Sequence, residues 1–355
     1  MKPHSRIVRL SNTRELRTPL LVPSVSSAGF RDAKIVVERN EVLTVPEPWQ
    51  WLLTAGTAIT EALLVSAYDL HYEKLPDTQP LRSDYTRTMY SELDVVFIDS
   101  GLYEKVHGPP PHNGCREDWS RDLLTALLDS IHEGCTNAVV VNYDLYDDGD
   151  GGYGDQIAAA RRFFKERSRF ASDFLLKPQQ SGRRFDERAI TELVPHVADM
   201  ADFDIIGVTE KDLGDTLLDR LANLARLRRV LSEGGVDAPI HVFGALDPLF
   251  SPLYFAAGGE IFDGLTWMRY GFHREVSVYR ESVPLLQDAQ SLSEPEVVRT
   301  TTILSANLRL LGALRQTMRD FAADRETNRW DLFGGSVAPH LEAAHRAMLT
   351  TVKEG

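Results

Sequence analysis

Short apolar runs recur along the first three quarters of the chain, and amphipathic stretches fill the gaps between them. The runs at 20–25, 62–67, 94–98, 138–142, 174–177, 204–208, 240–243 and 260–262 are the predicted strands. Most are continuously apolar rather than alternating, the pattern of parallel strands covered on both faces. Helices are expected at 119–132, 156–170, 186–198, 211–232 and 249–257. Eight strands with helices between them over roughly 250 residues match an α/β fold, the (β/α)8 TIM barrel.

Two segments break the repeat. Residues 33–45 predict a β-hairpin turning near Arg39-Asn40, inserted after the first strand, and residues 46–56 predict a helix carrying Trp49 and Trp51. Beyond Pro295 the pattern is wholly helical, at 297–323 and 337–352. The expected organisation is a barrel domain, 1–290, with the hairpin at about 33–45, and a helical C-terminal extension, 291–355. Two loops rich in glycine or proline, 106–115 and 146–155, follow strands on the face where barrel enzymes act and are candidate lids.

Composition narrows the function. The 355 residues are 43% hydrophobic and 26% charged, ordinary for a globular protein. The net charge of −13 argues against indiscriminate adhesion to nucleic acid but leaves room for a local basic groove. Arg161, Arg162, Lys165, Arg167 and Arg169 form one basic helix face, and Arg226, Arg228 and Arg229 another; solvated faces with acidic counterparts are their simpler role. Two cysteines, Cys115 and Cys135, are too few for a disulfide framework or a thiolate zinc site. The histidines show no pair at ligand spacing, so no metal is expected. Asp147, Asp148 and Asp150 lack the spacing and terminal Glu of a calcium loop, and the glycines at 149–154 lead into no Lys-Ser/Thr, so no cofactor is expected. No apolar run is long enough to span a membrane and the N-terminus lacks a secretory core, so a cytoplasmic location is expected.

The strand ends hold the candidate chemistry. In order they are Tyr68, Asp69 and His71; Asp99, Ser100 and Gly101; Tyr143 and Asp144; Lys177; Thr209 and Glu210; Asp247; and Asp263 with Arg269. A barrel mouth rich in Asp suits acid–base or nucleophilic work at a polar or sugar-like centre. Each such residue could equally be a helix cap or turn former.

These segments resemble the tRNA-guanine transglycosylase family, the queuine or archaeosine tRNA-ribosyltransferases and their DNA-modifying relatives. Arg17-Thr18-Pro19-Leu20-Leu21-Val22-Pro23 is similar to the family's opening strand, and Ser66-Ala67-Tyr68-Asp69-Leu70-His71 to its Asn-Thr-Tyr-His-Leu segment. Asp99-Ser100-Gly101 matches the start of Asp-Ser-Gly-Gly-Phe-Gln, and 206–210 resembles Gly-Leu-Ala-Val-Gly-Glu. Phe262-Asp263 followed by Arg269 matches Phe-Asp-Cys-Val-Leu-Pro-Thr-Arg in residues and spacing.

The resemblance implies that Asp263 is the nucleophile at the sugar C1′ and that Asp99 assists proton transfer. It implies that Asp144 and the backbone at Gly207 and Val208 face the base, a guanine or 7-deazaguanine in tRNA or DNA. Tyr68, His71, Ser100, Lys177 and Arg269 complete the expected substrate-binding set. The family's C-terminal zinc site has no counterpart, since no cysteine follows Cys135. That site supports the tRNA contact and the dimer, so a homodimer and a tRNA partner are open. The family's base-reading Gln-Gly-Gly is replaced by Leu176-Lys177-Pro178-Gln179. Two other readings stay open: a nucleosidase or glycosylase in which water accepts the sugar, and a non-catalytic barrel subunit that binds a partner.

Overall fold

A computed structural model describes residues 4–10, 14–36, 42–55, 59, 61–107, 119–143, 152–178, 184–287, 291–323 and 329–354. Eight strands form a closed barrel: β1 (Leu20–Val25), β2 (Ala62–Ser66), β3 (Val95–Asp99), β4 (Ala138–Val141), β5 (Ala171–Leu175), β6 (Ile205–Thr209), β7 (Ile240–Phe243) and β8 (Ile261–Gly264). All neighbours are parallel, and β8 closes on β1 with Asp263 opposite Val22. The fold is the TIM barrel that the repeat of apolar runs predicts.

The fifth strand lies earlier than expected. Ser172 and Asp173 break its apolar run, yet both are buried: Ser172 hydrogen-bonds to Asp204 at 2.8 Å, and Asp173 pairs with a histidine inside the barrel. The inserted hairpin is present as Asp32–Val36 against Val42–Pro46, and its turn falls outside the described residues. The helix Glu47–Ala55 follows it.

Alternation along each strand divides the core in two. Leu20, Val22, Ala62, Leu64, Val95, Phe97, Val139, Ala171, Ile205 and Ile261 point inward and fill the lower barrel. Val8, Leu10 and Leu16 join them from a short antiparallel pair, Ile7–Arg9 with Glu15–Arg17, which plugs the N-terminal end. Arg6 anchors this plug by pairing with the buried Glu260 and with Asp237. The outward residues, among them Leu21, Val65, Ile98, Phe174, Val208 and Phe262, pack under the helices in the larger core.

The C-terminal helices Glu296–Ala323 and Ala338–Glu354 share that larger core through Leu304, Leu311, Met318, Leu341 and Met348. Asn307 is fully buried and bolts the first of them to the segment after β8. It accepts from the Phe272 amide at 2.7 Å and donates to the carbonyls of Trp267 at 2.7 Å and Tyr270 at 2.8 Å. Trp267 in turn donates to the Ser24 carbonyl at 2.9 Å, so the extension braces the ends of β8 and β1. Among the described residues, no helix is long and apolar enough to cross a membrane.

Candidate active site

Above its apolar layers the barrel interior turns polar. On seven of the eight strands the inward register continues to a polar residue: Ser24 on β1, Ser66 on β2, Asp99 on β3, Asp173 on β5, Thr209 on β6, His241 on β7 and Asp263 on β8. Of these, Ser24, Asp263, His241 and Asp173 form one connected group inside the barrel, below the C-terminal end where the βα loops of such barrels place their chemistry.

Asp263 is the most constrained of them. One carboxylate oxygen, Oδ2, accepts from the Ser24 hydroxyl at 2.6 Å, and the other, Oδ1, accepts from the Gly244 amide at 2.8 Å. His241 Nε2 also faces Oδ1, at 3.4 Å, which is charge-pair range but outside strict hydrogen-bond geometry. On its other side His241 Nδ1 lies 2.6 Å from Asp173 Oδ2. Histidine 241 and Asp173 have no solvent exposure. Burial works against the charged imidazole, but Asp173 and Asp263 outweigh it and hold His241 at about 9. Burial likewise pushes Asp173 up, opposed by His241.

A second set of buried acids borders the mouth beside β1, β2 and β3. Glu104 accepts from the hydroxyls of Ser66, at 2.6 Å, and Ser26. Asp69 accepts from the Ser27 amide at 2.7 Å and from its hydroxyl. Burial pushes Asp69 up to about 6, against the pull of Ser27 and Lys74. Burial and the nearby Asp69 push Glu104 up to about 7. Serines from the end of β1 thus serve two sets of acids at once.

The remaining expected residues fall in different places. Asp99 ends β3 on the inward face, and its Oδ2 accepts from the Gly101 amide at 3.3 Å. Ser100 is buried, and its carbonyl accepts from Trp119 at 2.8 Å. Tyr68 and His71 sit on the helix Ala67–His71 in an aromatic group with Tyr72 and Trp119, with Tyr68 buried. Lys177 pairs with Asp212 at 3.3 Å, and its backbone is clasped on both sides by the Gln156 amide. Gly207 faces inward, where a side chain would strike Phe243 and Asp173; Val208 faces the helices. Asp144 lies outside the described residues, as do Cys115 and most of both candidate lids.

Arg269 is exposed and lines a cavity of about 370 Å³ between the segments that follow β1 and β8. Its guanidinium lies 5.5 Å from the Phe30 ring, Arg280 lies 5.2 Å from the Trp51 ring, and the two rings meet edge to face at 5.3 Å. Arg31 adds a third guanidinium, and Glu47, Glu281 and Glu296 line the same cavity. The basic helix faces are mostly structural. Arg161 pairs with Asp199 and Asp202, Arg167 with Asp129, and Arg169 caps the carbonyls of Leu128, Ile131 and His132. Arg228 does the same for Val236 and Ala238.

Reading strand ends alone passes over Asp173, His241, Glu104 and Ser24. A polar residue in register with inward apolar neighbours is the signal that marks the first two: His241 lies two residues before Phe243, and Asp173 two residues after Ala171. Among the described residues, no group of three or more His, Cys, Asp or Glu side chains is arranged to hold a metal ion. Compared with known proteins, the chain matches no family model and no curated sequence.

Proposed function

We propose that this barrel is a glycosyl-transfer enzyme in which Asp263 attacks the sugar C1′ of a nucleotide and exchanges its base. The observation that carries the reading is the holding of Asp263. A carboxylate near the C-terminal end of a barrel strand, fixed by a hydroxyl and a backbone amide, has the fixed orientation that attack on an electron-poor carbon needs. In the first step the Asp263 oxygen bonds to C1′ as the bond from C1′ to the base nitrogen breaks. Asp99, on the same inward face, supplies a proton to the departing base. In the second step an incoming base gives a proton to Asp99 and displaces the ester. The configuration at C1′ is retained.

The resemblance in the sequence motifs supports a guanine or 7-deazaguanine as the base and tRNA or DNA as the polymer. The cavity beside the mouth supports a polymer as well, since Arg31, Arg269 and Arg280 line it with Phe30, against three glutamates, and guanidinium groups suit the phosphate of a flanking nucleotide. The net charge of −13 favours the second reading, hydrolysis of a small nucleoside with water as acceptor.

Incubation with labelled guanine and unmodified tRNA or single-stranded DNA tests the reading. Label is expected in the polymer, with a covalent adduct that survives denaturing electrophoresis. Asp263→Asn is expected to abolish both. Release of free base without incorporation of label is the result that replaces exchange by hydrolysis, and absence of both removes the reading.

A further inference from the structure

His241 sits where no ligand can touch it. It has no solvent exposure, Phe243 stacks on its ring at 3.8 Å and Phe97 meets its edge at 5.4 Å. The charged groups against it are Asp173 from β5 and Asp263 from β8, and each of its ring nitrogens faces one of them. β6 contributes only Gly207 at this level. A Cβ there would stand 2.6 Å from Phe243 Cε2 and 2.8 Å from Asp173 Oδ1, so a glycine is what lets the ring and the acid come together. A buried polar pair kept at this cost in desolvation is more than core filling.

The protons follow from the acceptors. At 2.6 Å, Asp173 Oδ2 and His241 Nδ1 share a hydrogen, because two bare lone pairs do not approach so closely. Nε2 faces a second carboxylate at 3.4 Å, so the doubly protonated ring is the form that presents an N–H to an acid on each side. Asp263 accepts from Ser24 and Gly244, and His241 Nε2 stands 3.4 Å from the same oxygen as the Gly244 amide, in charge-pair range.

We infer that His241, anchored by Asp173, is a positioning residue that sets a positive charge beneath Asp263 and orients its carboxylate as the nucleophile. The inference rests on the reading of Asp263 as the group that attacks C1′. Loss of the Nε2 proton at high pH would leave two lone pairs opposed across 3.4 Å, and the carboxylate would turn away. The rate of ester formation at Asp263 then carries an alkaline limb set by the His241–Asp173 pair.

Two measurements test this. The first is nitrogen NMR of labelled histidine, with His241→Gln used to assign the signal, in wild type and Asp173→Asn. The His241 signal is expected to remain doubly protonated through pH 8 in wild type. Its midpoint is expected to fall by more than one pH unit in Asp173→Asn, a near-isosteric change that spares the barrel. The second is the pH dependence of adduct formation with the nucleic-acid substrate. His241→Gln is expected to slow adduct formation about 10- to 100-fold at pH 7, with little change in KM, and to abolish the alkaline limb. A His241 that titrates near its ordinary 6.5, or a His241→Gln variant with an unchanged pH profile, overturns the inference. If wild type forms no adduct at all, the glycosyl-transfer reading falls. The carbon NMR signal of the Asp263 carboxyl then decides the linkage: it is expected to shift on His241→Gln, and a signal that does not move sinks it.

Discussion

Glu104 illustrates how one side chain can set a pH response. Its carboxyl ionises near 4.5 in a solvated chain and near 7 in the folded protein, because burial and Asp69 disfavour its charge. The native state therefore binds a proton over a range in which the unfolded state has lost it. The stability that this proton supplies is complete below about pH 4.5 and is lost as the pH rises through about 7. Asp69 acts in the same direction, between about 3.8 and 6. Glu104→Gln keeps the shape and removes the charge. Urea denaturation is expected to show the variant more stable than wild type by on the order of 2 kcal/mol at pH 8. At pH 4.5 the difference is expected to shrink to near zero. Equal stability at both values would mean that the acid is ionised throughout.

At the scale of elements, the loop after β8 depends on a helix that joins the fold 30 or more residues later. Asn307 supplies all the side-chain hydrogen bonds that tie the helix Glu296–Ala323 to Trp267, Tyr270 and Phe272. Asn307→Ala leaves an amide and two carbonyls buried without that partner, and each orphan costs about 1–3 kcal/mol before relaxation. A net loss of about 3 kcal/mol or more is expected in denaturant unfolding. Trp267 braces the Ser24 carbonyl, so adduct formation at Asp263 is expected to fall as well.

The elements themselves were largely legible in the sequence, because continuous apolar runs leave few alternatives to buried parallel strands. The candidate site was legible only at strand ends, where Asp99 and Asp263 follow apolar residues directly. Asp173 and Glu104 were hidden for opposite reasons. Asp173 interrupts an apolar run and shifted the apparent strand, whereas Glu104 lies on a short helix whose pattern resembles a solvent face. Their burial depends on partners such as His241 and Ser26, which lie far away in the chain and which no local pattern connects.

For the whole molecule, charge is distributed against the overall balance. The chain carries −13, yet at one cavity beside the mouth Arg31, Arg269 and Arg280 match Glu47, Glu281 and Glu296 in number. Nucleic acid held chiefly there displaces few counterions. The logarithm of affinity against the logarithm of salt concentration is expected to have a slope of about −2, from about three phosphates at roughly 0.7 each for a single strand. Fluorescence anisotropy with a labelled oligonucleotide measures it. Arg269→Ala is expected to flatten the slope by somewhat less than one, and an unchanged slope would place the polymer elsewhere.

The plug formed by Val8, Leu10 and Leu16 has a consequence for traffic. With the floor sealed, anything that reaches the acid on β8 arrives and departs by one door. If the protein exchanges bases as proposed, an outgoing base would have to clear that door before its replacement entered. On the exchange reading the sugar would wait between them, tethered to the protein, and how long it waited unspent would separate a swap from a simple cut.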